Sequence, residues 1–421
     1  MQSLRKYSSR LRFVVAATVI GNLLEWFDFA LFGMMAPLFA HLFFAKEEAS
    51  VDLPFLFFAL SAAARPIGGI VFGYLGDRSG RKTALVRTIV LMTIPILLIG
   101  ILPSYVQIGS AATFLLACFC FFQGFCMGGE FPGSIVFLEE TAPPKLRGYV
   151  GSWAYFGVLF GMCLGAIDIY LLQENLSKED FEAWGWRLPF LFGAILGLMG
   201  IFLRRLLHET PIFQEAKTIG HLVQRPLADS IQKHWKTLLQ GVGIMLVDAI
   251  GFNLIIVFCT SYFIHHLSLS AKTSFILNAF TVAVGLLTMP FAGKLSSRIG
   301  PVRLIQWALG ALFFGAFPLY FLITSGSLLW IFIGQGLLVA LLAGYLCNLP
   351  AILCKLFPTE VRYSCCGLVI NVSVALFGGT APLFINYLLD KTEWDVVPAL
   401  YLCLAALVSF YSLKKSKISS V

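Results

Sequence analysis

Long apolar stretches alternate with short polar segments along the whole chain. Twelve such stretches lie near residues 13–43, 53–76, 83–103, 108–138, 149–172, 188–207, 237–265, 272–293, 303–324, 327–355, 364–388 and 395–413. An α-helix needs about 20 apolar residues to cross the hydrocarbon core of a bilayer. Since lipid offers no hydrogen-bond partner to a bare backbone N–H or C=O group, each stretch is most simply a helix. The pattern predicts an all-α, polytopic membrane protein with twelve transmembrane spans.

The basic residues lie at the ends of the apolar stretches and follow the positive-inside rule. With twelve spans and both termini in the cytoplasm, the large majority of the 30 Lys and Arg residues fall on the cytoplasmic side. An odd number of spans would destroy this asymmetry. Arg65, near the middle of the second span, is the only basic residue that lies away from these segments. We therefore expect a multi-pass protein with both termini in the cytoplasm.

The composition predicts a surface that faces lipid. Hydrophobic residues make up 58% of the chain and charged residues 12%, whereas a soluble domain carries about a quarter charged residues. The net charge of +8 does not predict nucleic-acid binding, because the basic residues are spread over many short segments. All ten Cys residues fall in apolar stretches without zinc-ligand spacing, so we expect small buried side chains and no metal site.

Two cytoplasmic segments recur at a nearly constant separation. Residues 73–82 after span two have a counterpart at 293–303 after span eight, and residues 144–148 before span five resemble 358–362 before span eleven. Such an offset in loops on the same side of the membrane predicts a parallel duplication of a six-helix unit. We expect two six-helix bundles, residues 1–207 and 237–421. The linker between them, residues 208–236, is either an amphipathic helix on the cytoplasmic face or a partly ordered segment.

The loop at residues 73–82 has the pattern G-x-x-x-D-R-x-G-R-K and resembles the signature of the major facilitator superfamily. More narrowly, the chain resembles the metabolite:proton symporters, which include proline/betaine, α-ketoglutarate, citrate and shikimate carriers. The matching stretches are GNLLEWFDF at 21–29, ARPIGG at 64–69, GGE at 128–130, ETPIF at 209–213 and FGGTAP at 377–382. The resemblance implies the major facilitator fold and a place in the bacterial inner membrane.

Arg65 is the first candidate for substrate binding. An unpaired Arg in the middle of a span costs roughly 2.5–3.5 kcal/mol, so we expect it to face a wet cavity or a carboxylate. Its planar guanidinium is suited to a substrate carboxylate. The alternative is a structural ion pair with Glu25 or Asp28, and both can hold if the pair exchanges partners during transport.

Glu25 and Asp28 are three residues apart and share one face of span one. Ionising two carboxyl groups at this distance inside the membrane is costly, so one of them is a candidate proton carrier as well as a substrate contact. The alternative is a fixed hydrogen-bonded group with Arg65. Glu130 in span four is a second candidate for proton coupling. Asp248, near the middle of span seven, and Tyr155 in span five are candidates for the substrate cavity.

The resemblance implies that the loop with Asp77, Arg78 and Arg81 forms a cytoplasmic gate. Its arginines can pair with acids across the two halves, and Glu139 and Glu140 at the end of span four are the candidates. Ser297 stands where the second copy of the loop would carry its acid, so we expect that copy to lack the electrostatic latch.

The leading hypothesis is secondary active, proton-coupled uptake of a small carboxylate-bearing metabolite by alternating access. One mid-membrane cation among several acids favours a zwitterion such as proline or betaine. His265 and His266 near the outer end of span seven leave open a di- or tricarboxylate, another organic acid or a larger polycarboxylate. An exporter or antiporter, a channel and an enzyme are less favoured. We expect a monomer in lipid with the substrate and protons as partners, no nucleic acid, and no cofactor, since the proton gradient drives transport.

Overall fold

The computed structural model describes residues 2–45, 52–221, 223–392, 394–416 and 418. All regular structure in these ranges is helical. Spans one to twelve, named in chain order, are Gln2–Phe43, Asp52–Ser79, Arg81–Gly100, Ser110–Thr141, Arg147–Asn175, Arg187–Arg205, Pro226–His265, Ala271–Ile299, Pro301–Thr324, Leu328–Leu356, Thr359–Leu389 and Val397–Lys415. Within the described residues, eleven helices are long and apolar enough to cross a membrane. The 28-residue helix Asp52–Ser79 supplies the second predicted span. The predicted all-α, twelve-span fold is confirmed.

The largest differences from the predicted boundaries occur where a helix continues into polar sequence. Span one begins at Gln2 rather than near residue 13, and span seven begins at Pro226 rather than near residue 237. Proline suits the first helical position because its φ is already helical and its missing N–H is not needed there. Hydropathy marks only the apolar part of a helix, so these polar turns were missed. Lys46 and Lys417, two of the basic residues in the sidedness argument, lie outside the described residues.

Met1–Thr141 and Gly157–Leu227 form one compact unit, called the first unit below. Its apolar core is built mainly by spans one, three, four and six, whose buried side chains include Phe27, Phe39, Ile96, Leu116 and Phe190. The linker contributes a short helix to this unit, Pro211–Thr218. The Thr210 hydroxyl caps that helix by accepting from the Phe213 N–H at 3.3 Å.

Spans two and four approach each other backbone to backbone inside the first unit. A Cβ on Gly124 would collide with the carbonyl oxygen of Ser61, and one on Gly128 would collide with that of Arg65. Glycine is therefore required at both positions in span four. This contact fixes the position of Arg65, which belongs to span two, relative to the residues of span four.

Ala142–Phe156 and Ala228–Val421 form the second unit. Span seven is π-helical over Val247–Phe258, and span eleven over Val374–Gly378. Such departures from the α-helix are frequent at functional sites, and the first of them contains Asp248. The division into residues 1–207, 208–236 and 237–421 remains a prediction.

Candidate functional site

Four polar side chains lie together in the membrane-spanning part of the first unit. Glu25 and Asp28 belong to span one, Arg65 to span two and Gln123 to span four, and their exposed fractions range from 1% for Glu25 to 7% for Arg65. We call these four residues the intramembrane cluster. Arg65 Nη2 donates to Glu25 Oε1 at 3.3 Å. The structural pair that the sequence left open as an alternative is therefore present.

The cluster has unused hydrogen-bonding capacity of both kinds. Arg65 Nε and Gln123 Nε2 are buried donor atoms without a hydrogen-bond partner, and Glu25 Oε2 and Asp28 Oδ1 are buried acceptor atoms without one. Leaving such an atom unpaired costs about 1–3 kcal/mol. The arrangement can bind a small molecule that carries both a carboxylate and a cationic nitrogen.

Gln123 was not among the predicted site residues. Its amide faces the Asp28 carboxyl, and it lies within the apolar run of span four, next to Gly124. A single polar residue in such a run is more often a helix-packing contact. The nearby glycine was the only sequence signal, because it brings span four close to the helix that carries Arg65.

Glu130 is held in a different arrangement from the intramembrane cluster. Arg204 Nη1 donates to Glu130 Oε2 at 2.7 Å, and Arg204 Nη2 pairs with Oε1. The Thr88 hydroxyl donates to Oε2 at 2.6 Å. Both carboxylate oxygens are engaged, which favours a structural role over proton carriage. The proton-coupling role of Glu130 stays a prediction.

Arg204, at the end of span six, is completely buried. Its guanidinium turns inward, and each of its three nitrogens donates a hydrogen bond. Besides Glu130, it donates to the backbone carbonyls of Ala17 at 3.1 Å, Thr18 at 3.3 Å and Leu85 at 2.8 Å. These bonds join spans one, three, four and six.

A second polar group of the first unit lies at the predicted gate loop. The Arg81 guanidinium is completely buried and binds Glu140 through two bonds, from Nε at 3.0 Å and from Nη2 at 3.1 Å. Its Nη1 lies 3.2 Å from Asp77 Oδ1. The guanidinium also lies over the ring of Phe213, 4.7 Å from the ring centroid. Arg81 and Glu140 both belong to the first unit, so this pair does not join the halves as expected.

The other predicted gate residues lie differently. Arg78 is exposed and its Nη1 donates to the Tyr74 hydroxyl in the same helix. Glu139 is buried, but the acid that accepts hydrogen bonds from the Arg81 guanidinium is its neighbour Glu140. Since span three begins at Arg81 and span four ends at Thr141, the two helix ends meet at one level of the unit. The gate role of Asp77, Arg78, Arg81 and Glu139 remains a prediction.

Glu209, from the ETPIF stretch, is a further member of the polar group around Arg81. Its carboxylate accepts from the backbone N–H of Arg81 at 3.0 Å and from that of Lys82 at 3.2 Å, at the start of span three. A negative charge at a helix N-terminus is favourable because it meets the free N–H groups and the positive end of the helix dipole. Gly80 has a φ of 114°, and a Cβ there would collide with the Glu209 carboxylate. The stretch therefore docks the linker on the gate loop.

We expect Glu209→Gln to lower the free energy of unfolding by about 1 kcal/mol, because the charged cap of span three is lost. The measurement is thermal unfolding of the purified protein in detergent. Glu215→Gln is the matched control, since Glu215 is an exposed acid on the short helix Pro211–Thr218. Equal melting temperatures for the two variants would contradict the capping role.

The remaining predicted substrate contacts lie in the second unit. Tyr155 and Asp248 are both buried, and their side chains are hydrogen-bonded. Tyr345 lies close to Asp248, and its hydroxyl donates to the backbone carbonyl of Ile244. The structure thus brings the predicted residues together as two separate sets, one in each unit. No group of three or more potential metal ligands occurs among the described residues.

Comparisons with known proteins agree with the sequence motifs. A family described as "Sugar (and other) transporter" matches residues 14–220. The glycine betaine/proline/ectoine/pipecolic acid transporter OusA of Dickeya dadantii is 34% identical over 411 residues, which cover 95% of this chain and 82% of that protein. The proline/betaine transporter of Escherichia coli K12 has the same identity and coverage, 34%, 95% and 82%. The solved structure of the proton:xylose symporter XylE bound to 6-bromo-6-deoxy-D-glucose matches with a TM-score of 0.80 at 17% identity. That match covers 97% of this chain and 96% of XylE, and it shows a shared fold.

Proposed function

Because this chain belongs to the major facilitator superfamily, in its metabolite:proton symporter family, we propose that it takes up a small zwitterion of the proline or glycine betaine type together with protons. The superfamily consists of carriers, so the chain is a transporter rather than an enzyme. The names of the relatives support this substrate class. The observation that carries the proposal is the set of unpaired donors and acceptors in the intramembrane cluster.

The substrate carboxylate fits the donor side of the cluster. Arg65 Nε is buried and unpaired, and a guanidinium binds a carboxylate through parallel hydrogen bonds. The substrate cation fits Asp28, whose Oδ1 is a buried acceptor without a partner. A second substrate carboxylate would meet Asp28 and Glu25 instead and be repelled. This favours a zwitterion over the di- and tricarboxylates that the sequence left open.

The Arg65–Glu25 pair suggests how the proton is coupled. When a substrate carboxylate binds Arg65, it replaces Glu25 as the partner of the guanidinium. Glu25 is then left without its ion-pair partner at a position that is only 1% exposed. A buried carboxylate without a partner is unstable, so Glu25 then takes up a proton. Substrate and proton therefore favour each other's binding, and this reciprocity is what a symporter requires.

The chain is a multi-pass membrane protein. We propose that it lies in the bacterial inner membrane with both termini in the cytoplasm. It acts there as a monomer surrounded by lipid. The proton gradient is its driving force, and it uses no cofactor.

Uptake into proteoliposomes tests the proposed function. With an imposed inward proton gradient, vesicles containing the purified protein are expected to accumulate labelled proline or glycine betaine, and an uncoupler is expected to abolish the accumulation. A sodium gradient of equal size, without a proton gradient, is the control. Accumulation that persists with the uncoupler would contradict proton symport.

A further inference from the structure

Two cysteines meet where span ten ends and span eleven begins. Cys354 belongs to the last helix of span ten and is 6% exposed, and Cys366 belongs to the first helix of span eleven and is completely buried. Both lie in the second unit, and their thiols are in hydrogen-bond contact. Neither forms a disulfide bond in this structure. The proposed uptake mechanism makes no use of the pair.

Span ten is interrupted just before this pair. The helix Leu328–Leu346 ends, and a separate helix of eight residues, Leu349–Leu356, carries Cys354. We call this second helix the end segment of span ten. Pro350 stands near its start and has no N–H to continue the helical hydrogen bonds, so it accounts for the interruption. A helix interrupted at a proline bends there, so the end segment can change its direction relative to the rest of span ten.

We propose that Cys354 and Cys366 are a site of reversible oxidation, at which a peroxide joins the two sulfurs in a disulfide bond that fastens the end segment to span eleven and stops transport. Alternating access requires the helix ends on one side of the membrane to move during the cycle. A covalent bond across the turn between the two spans removes that freedom at this point.

The reaction balances with hydrogen peroxide as the oxidant. The sulfur of Cys354, the more exposed of the two, attacks the peroxide, so that the O–O bond breaks and a sulfenic acid and one water form. The sulfur of Cys366 then attacks the sulfenic sulfur, and the S–S bond forms as a second water leaves. The two sulfurs lose two electrons in all, and the two peroxide oxygens gain them. A small thiol reverses the reaction by thiol–disulfide exchange.

A positive charge lies beside the pair. The Arg362 guanidinium is close to Cys366, and Arg362 Nε donates to the backbone carbonyl of Phe357 at 3.3 Å. A cation at this place stabilises the negative charge that develops on the attacking sulfur. Neighbouring residues of a helix point about 100° apart, so Cys365 and Cys366 cannot meet Cys354 in the same geometry. The contact and the charge both favour Cys366 as the partner.

Peptide mapping tests the bond directly. The purified wild-type protein is treated with hydrogen peroxide, its remaining thiols are alkylated, and its peptides are measured by mass spectrometry without a reducing agent. We expect a cross-linked peptide that contains Cys354 and Cys366 and that disappears after treatment with dithiothreitol. The map needs no substrate, so it tests the bond even if neither proline nor glycine betaine is transported.

Uptake into proteoliposomes tests the effect on transport. Peroxide is expected to abolish the accumulation of labelled proline by the wild-type protein, and dithiothreitol is expected to restore it. The variants Cys354→Ser and Cys366→Ser are expected to keep their uptake in peroxide, because neither can form the bond. Cys365→Ser is the matched control, since it removes the neighbouring thiol of the same helix and is expected to respond like the wild type.

The contrary outcomes can be told apart. If both thiols are still alkylated after peroxide, the oxidation site is overturned, and a bond from either of them to Cys365 would overturn the pairing. Uptake that persists while the bond is formed would overturn the effect on transport. Loss of uptake by peroxide in both Cys354→Ser and Cys366→Ser would show that a different oxidised group stops transport. A wild-type protein that accumulates no proline before peroxide is added would contradict the proposed function and not the bond.

Discussion

Substitution of Arg204 by alanine is expected to lower the free energy of unfolding by about 3–5 kcal/mol, because it leaves the Glu130 carboxylate buried without its cation. The loss also frees the carbonyls of Ala17, Thr18 and Leu85 from their side-chain donor. The measurements are thermal unfolding in detergent and the yield of folded protein. Arg205→Ala is the matched control, since Arg205 is the exposed neighbour in the same helix.

A double variant shows whether the charge or the packing matters. Glu130→Leu combined with Arg204→Met removes both charges and keeps most of the buried volume, so it is expected to recover much of the stability lost in Arg204→Ala. If the double variant still accumulates substrate in response to a proton gradient, Glu130 is not the proton carrier. A double variant as unstable as Arg204→Ala would contradict the buried-charge explanation.

Arg65→Lys is expected to lower the affinity for proline by about tenfold or more and to leave thermal stability nearly unchanged. Lysine keeps the positive charge opposite Glu25, but it lacks the Nε donor and the planar fork that fit a carboxylate. Affinity is measured by calorimetry on the purified protein. Arg87→Lys, at an exposed position of span three, is the control. An unchanged affinity in Arg65→Lys would contradict carboxylate binding by Arg65.

The twelve helices could be predicted from the sequence because lipid imposes a simple rule on the chain. A span must be apolar and long, and both properties are local. The partner of Arg65 could also be narrowed to two residues from the sequence, Glu25 and Asp28. An Arg buried in the membrane needs an acidic partner, because burying its charge alone costs too much free energy.

The features that were missed depend on how helices are rotated against one another. Glu139 and Glu140 are neighbours in sequence but point about 100° apart around span four, and only the rotation of that span decides which one meets Arg81. Arg204 stands at the end of an apolar stretch, and nothing local tells whether its side chain turns outward or inward. Gln123 depends on Asp28, which lies on a different helix.

The glycine contact between spans two and four has a consequence for how substrate range can change in this family of carriers. The donors Arg65 and Gln123 stand on two helices whose backbones touch at Gly124 and Gly128, so a change in their spacing requires the backbone to move. The acids stand on span one, where a substitution changes a side chain and leaves that contact intact. New specificities are therefore expected to arise by substitution in span one, and spans two and four are expected to vary least.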